Sequence, residues 1–143
     1  MALVGLGMPE EQPPWRNHCE NVLHFDTECI EDDGDYVRIA ERLSKITQGA
    51  LELENIRDHV DIEEGNAWLE FSWRGEKVHI DCNVDDDWVD SRIFAHFANL
   101  LRRANQEKIY LLHETGGQDC ILACVTQKQF AELEHEGVNF KPL

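Results

Sequence analysis

The sequence predicts an α+β fold: a mainly antiparallel sheet built from hairpins, with about three helices packed on its side. Three observations predict it. Apolar residues alternate on both sides of Arg74-Gly75, and a second pair of strand-like segments flanks Gly116-Gly117. Segments starting near Asp35, Asp90 and Thr126 carry apolar residues at helical spacing. Hairpins dominate the order of elements, so the pairing is expected to be antiparallel.

The chain has 143 residues and is 42% apolar, enough for one compact domain with a real core. Residues 1–14, broken by Pro9, Pro13 and Pro14, read as a flexible lead-in to a single domain over 15–143. A strand is expected within Asn21 to Ile30, with Val22, His24 and Asp26 on one face. Tyr36, Val37, Ile39, Ala40, Leu43 and Ile46 then form an apolar stripe. They place a helix over about 35–48, with Asp35 as N-cap and Gly49 as its stop.

Ile56, Asp58, Val60 and Ile62 share one side of an extended segment. Ala67 to Trp73 and Glu76 to Asn83 form a hairpin whose two-residue loop, Arg74-Gly75, sets the register. That register pairs Phe71 with Val78, Leu69 with Ile80 and Ala67 with Cys82 on one face. The other face receives Ser72 with Lys77, Glu70 with His79 and Trp68 with Asp81. A slip of one residue would set apolar groups against polar ones.

A second helix is expected over about 90–104, capped by Asp90 or Ser91, with Ile93, Phe94, Phe97, Leu100 and Leu101 inward. Lys108 to Glu114 and Asp119 to Val125 make a second hairpin, apolar on both faces and therefore covered on both. Thr126 and Gln129 form a capping-box pattern for a third helix to about Glu136, with Phe130 and Leu133 inward. Gly137 ends that helix, and Val138 to Phe140 is read as a short returning strand.

The formal charge is −16, from 29 acids and 13 Lys and Arg. It is unevenly placed. Residues 1–49 carry 10 acids and 4 bases, residues 50–90 carry 13 and 3, and residues 91–143 carry 6 of each. Phosphates repel carboxylates, so nucleic acid and anionic membranes are poor partners. No apolar run approaches the roughly 20 residues of a spanning helix. Met1 to Met8 is short and has no preceding Lys or Arg, unlike a secretory signal. The odd count of five cysteines fits reduced thiols in a cytoplasmic protein better than a disulfide framework.

The densest acidic clusters are Glu31 to Asp35, Asp58 to Glu64, and Asp85-Asp86-Asp87 with Asp90. They read either as a solvated face with acidic loops or as a docking surface for a basic partner. On the docking reading, Asp85, Asp86, Asp87 and Asp90 belong to the interface with Trp88 as an aromatic anchor. Asp61, Glu63 and Glu64 extend it. The acid triplet lacks the alternating spacing, central Gly and distal Glu of an EF-hand, so no metal is expected there. No C-x-x-C pair exists, and Cys120 and Cys124 are ~13 Å apart along one strand, so zinc is not expected either. No cofactor is implied.

His113 and Cys120 are expected directly opposite each other across the second hairpin. An imidazole there would activate a thiol, which points to a small cysteine hydrolase. The bland alternative is a buried free cysteine beside a core histidine. Trp68 and Trp73 fall on opposite faces of one strand, so at least one lies away from the main core; Trp15 and Trp88 are open to either role.

The segment Ala67 to Val125 resembles small immunity proteins of bacterial polymorphic-toxin systems, of the contact-dependent inhibition and Rhs type. The Trp68–Trp73 strand, the Arg74-Gly75 turn, Asp86-Asp87-Trp88-Val89-Asp90, the apolar helix and the Gly116-to-Cys120 hairpin carry the resemblance. It covers less than half of the chain. Such families share no universal binding residues, so none is carried over. The resemblance implies a cytoplasmic protein that binds one cognate toxin domain and blocks it. Many such toxins have basic substrate clefts. The expected function is therefore an immunity protein, not an enzyme. The alternatives are the Cys120/His113 hydrolase and an acidic adaptor or chaperone for a basic partner.

Overall fold

The computed structural model describes residues 21–105, 107–137 and 139–143. The lead-in, with Trp15 and Cys19, and Val138 of the expected C-terminal strand lie outside the described residues. The fold is α+β with antiparallel pairing throughout. In order, the elements are β1 (Val22–Asp26), α1 (Asp35–Lys45), β2 (Glu54–Asp61), β3 (Asn66–Trp73) and β4 (Glu76–Cys82). They continue with α2 (Arg92–Ala104), β5 (Lys108–Glu114), β6 (Asp119–Thr126), α3 (Gln127–His135) and β7 (Lys141–Pro142).

The strands divide between two sheets rather than forming one. One has the order β1-β6-β5-β7 and the other β2-β3-β4. Helices α1 and α2 fill the space between them. Phe94 of α2 meets Phe25 of β1 edge-on at 5.8 Å, while Phe97 meets Phe71 of β3 at 5.5 Å. On α1, the Leu43 carbonyl accepts a hydrogen bond from the buried Tyr110 hydroxyl of β5. All five predicted inward residues of α2 are buried, as are Ile39, Ala40, Leu43 and Ile46 around α1. Helix α3 packs on the other face of the four-stranded sheet, where Leu133 joins Val22, Leu111, Ile121, Ala123 and Val125. That sheet is thus covered on both faces, which is why β6 reads as an unbroken apolar run.

The β3–β4 hairpin has the predicted register at every pair. Arg74 and Gly75 both take positive φ, 52° and 78°, as a two-residue turn matched to strand twist requires. Trp73 lies in the core, and Trp68 stands on the opposite face. The capping box forms at α3, where Thr126 and Gln129 each accept from the other's backbone N–H.

Three expectations need correction. Asp35 is the first residue of α1 rather than its cap; Gly34 is the cap residue, in the left-handed region at φ 98°. The helix ends at Lys45, ahead of a turn in which Gln48 and Gly49 both have positive φ. The C-terminal strand pairing with β5 is Lys141–Pro142.

Candidate functional site

The three acidic segments meet at one end of the molecule. β2 and β3 close their turn there, with Asp61 opposite Asn66, and β4 ends beside them, with Cys82 opposite Ala67. The segment after β1 is stitched to the segment after β4. Ile30 N–H donates to the Asp87 carbonyl, and Val89 N–H to the Thr27 carbonyl, both at 2.9 Å. Glu28 and Trp88 form a further bridge. Asp33 ties the same region to β2, accepting from Val60 N–H at 2.7 Å. Segments 26–35, 61–66 and 81–91 hold six, three and five acids, fourteen in all, and no Lys or Arg.

Six of these carboxylates hold the backbone or a side chain in place. Asp26 accepts from Glu28 N–H, Asp33 from Val60 N–H, and Asp35 from the N–H groups of Glu31 and Asp32. Asp61 accepts from Glu64 N–H in its own turn, and Asp81 takes one nitrogen of His79. Asp90 is the most enclosed, with 8% of its side chain exposed. It accepts from Asn83 N–H at 2.7 Å and from the backbone and guanidinium of Arg92. The Arg92 hydrogen bonds hold its carboxyl down at about 2. Asp90 therefore shapes the loop, with its side chain mostly enclosed.

Of the other predicted residues, Asp85, Asp86, Trp88, Glu63 and Glu64 are exposed. Asp85 to Trp88 is a tight turn closed by Trp88 N–H to the Asp85 carbonyl at 3.0 Å, and Asp86 takes a left-handed φ of 50° at its tip. Asp85 and Asp86 are exposed, and Asp87 is half-buried against Glu28. The nearby charge and hydrogen bond of Asp87 push the Glu28 carboxyl above its usual range, with Asp26 and Asp86 adding to the effect. Trp88, 39% exposed, is the one large exposed hydrophobic side chain among the described residues. Glu63 and Glu64 are exposed on the β2–β3 turn at the same end.

Helix polarity accounts for a small part of this charge. Both α1 and α2 begin at the acidic end, and each helix start carries about +0.5 of a charge, about +1 together. Ten of the fourteen carboxylates at this end, among them Asp85, Asp86, Asp87, Glu63 and Glu64, have no cationic partner among the described residues. The imbalance exceeds what the helix ends offset. At the opposite end Arg74 and Arg103 lie over the Trp73 ring at 4.8 and 4.9 Å, and Arg103 pairs with Glu76. Beside them Lys108 Nζ donates to the Thr47 carbonyl.

Compared with protein-family models, curated proteins and solved structures, the chain matches none.

The expected Cys120–His113 pair does not form. β5 and β6 pair Glu114 with Cys120 and His113 with Ile121. Cys120 therefore points into the core between the sheets, and His113 to the other face, where its ring contacts Phe140 at 5.5 Å. The His113 Nδ1 meets the Asn139 carbonyl at 2.7 Å. Burial pushes the Cys120 thiol up to about 11, the direction opposite to an activated nucleophile. Cys29, Cys82 and Cys124 are raised similarly by burial. Among the described residues no three His, Cys, Asp or Glu side chains converge to hold a metal, and no helix is long and apolar enough to cross a membrane.

The Asp90 network makes a pH-dependent prediction. Its folded carboxyl titrates near 2 instead of the usual 3.8. Its contribution is thus whole above the usual value and disappears as pH falls through about 2. Because Arg92 is mostly exposed, the contribution is discounted to about 1–2 kcal/mol at pH 7. Asp90→Ala should lose that much by urea unfolding at pH 7, and roughly half as much at pH 3. An equal loss at both pH values would remove the ionised carboxylate as the cause.

Proposed function

We propose that this protein is a non-enzymatic immunity protein that neutralises a cognate toxin domain by covering a basic cleft with its acidic end. The observation that carries the reading is the exposed Trp88 set among carboxylates that have no cation of their own. Like charges held together cost stability. A cationic partner relieves that repulsion, speeds encounter through the long-range field and gains slow release from a buried aromatic anchor. Asp85, Asp86 and Asp87 with Trp88 form the centre of the interface, Glu63 and Glu64 its flank. Asp90 and Asp61 keep the two turns in shape. Separation of Cys120 from His113 weighs against the hydrolase alternative, since the imidazole lies on the opposite face of the sheet from the thiol.

The test is co-expression with the toxin domain encoded beside the gene. The protein should protect the cells and bind that domain one to one. Reversing all three charges, Asp85→Lys, Asp86→Lys and Asp87→Lys, should slow association at low salt by about 10-fold or more. Trp88→Ala should instead speed dissociation. Protection that persists with unaltered association rate after the triple reversal refutes this placement of the interface. Failure of the parent protein to protect or bind refutes the function.

A further inference from the structure

The three-stranded sheet has two outer edges, and they differ. The β2 edge is closed by the loop before α1: Asp33 takes the Val60 N–H, and a bulge with Asn55 at φ 53° interrupts the strand. β4 is regular over its seven residues. In a two-residue hairpin the flanking residues, here Trp73 and Glu76, form a hydrogen-bonded pair, and such pairs alternate with non-bonded ones along the ladder. Glu76, Val78, Ile80 and Cys82 therefore turn their backbone groups toward β3. Lys77, His79 and Asp81 turn theirs away. The next outward amide, that of Asn83, is taken by Asp90. The outward groups of Lys77, His79 and Asp81 have no backbone or side-chain partner among the described residues.

An unpaired regular strand edge pairs with another strand unless something prevents it, and edge charges are the usual safeguard. On β4 those charges are self-complementary. Two copies running antiparallel about a two-fold axis at His79 place Lys77 opposite Asp81 of the partner subunit, and Asp81 opposite the partner's Lys77. On the inner face Val78 meets Ile80 of the partner subunit. The Lys77 and Asp81 side chains are 62% and 87% exposed, so both are free to turn outward from Glu70 and His79, their present neighbours.

We propose that the β4 edge is a homodimer interface, in which a second copy of this chain adds its own β4 to make a continuous six-stranded sheet. About six backbone hydrogen bonds form across it. The acidic turn at Asp85–Trp88 lies beyond the end of the paired strands, so this proposal is independent of the toxin-binding one.

Sedimentation velocity on the full chain over a concentration series should show a monomer shifting to a dimer. Asp81→Lys sets like charges opposite each other twice by symmetry, and should raise the dissociation constant roughly 10- to 100-fold. The double variant Lys77→Asp with Asp81→Lys restores opposite charges and should recover most of the affinity. Circular dichroism confirms that each exposed-site variant is folded. A chain that stays monomeric throughout overturns the proposal. So does a dimer indifferent to Asp81→Lys, or a folded double variant that fails to recover.

Discussion

Replacing Phe97 with alanine is expected to cost about 3–5 kcal/mol, the largest effect of any single change considered. Phe97 is fully buried on α2, and its ring packs 5.5 Å from that of Phe71 on β3. Three residues earlier in the same stripe, Phe94 reaches the opposite sheet through Phe25. Truncation at 97 opens a void in the layer that joins the two sheets, and backbone on both sides limits collapse into it. Phe97→Leu retains most of the volume and should lose no more than about 1.5 kcal/mol. For a domain of this size the alanine variant should melt about 10 °C or more below the parent. Urea midpoints at unchanged slope provide the measurement. A loss for alanine below that of leucine would show that the two sheets do not share this core.

Asp58→Ala should be the next most damaging, at about 2 kcal/mol. Gly34, the cap residue of α1, has no side chain to offer its own helix. Asp58 does that work from β2, accepting from Gly34 N–H at 2.7 Å and from Val37 N–H at 3.0 Å. Asp58→Asn keeps one acceptor oxygen and loses the charge facing the helix start, so about 1 kcal/mol is expected. Thermal unfolding followed at 222 nm compares the three proteins. If Ala and Asn lose the same amount, the carboxylate is not bonding both amides. The contrast with Asp85, Asp86 and Asp87 is informative: reversing those should leave unfolding little changed while altering association. Acids of one composition thus divide into those that hold the fold and those left exposed at its surface.

That division was not legible in the sequence. Asp33 and Asp58 lie inside runs that look like undifferentiated surface charge, and their acceptor roles arise only when α1 docks against β2, 21 to 27 residues away. Local chemistry was legible where a short motif admits one geometry. Arg74-Gly75 leaves two residues between strands and so one register, and Thr126 with Gln129 makes a box that only a helix start satisfies. The second hairpin shows the limit. Five residues, Thr115 to Asp119, separate Glu114 from its partner Cys120. A turn centred on the two glycines puts the pairing one residue off, and one residue is enough to send His113 to the wrong face. The split into two sheets was hidden for a related reason. Both hairpins show an apolar face, and nothing within either one says that α1 and α2 fill the gap between them.

The strand at Val22–Asp26 finds its partner nearly a hundred residues later, at Asp119–Thr126. By contrast β2, β3 and β4 are neighbours in sequence as well as in space. On the ribosome the middle of the chain therefore holds everything its own sheet needs before the last third has emerged. β1 must wait for its distant partner, because closing so long a loop brings no reward until β6 exists. Folding of this protein thus runs from the inside outward, with β1 among the last pieces to settle.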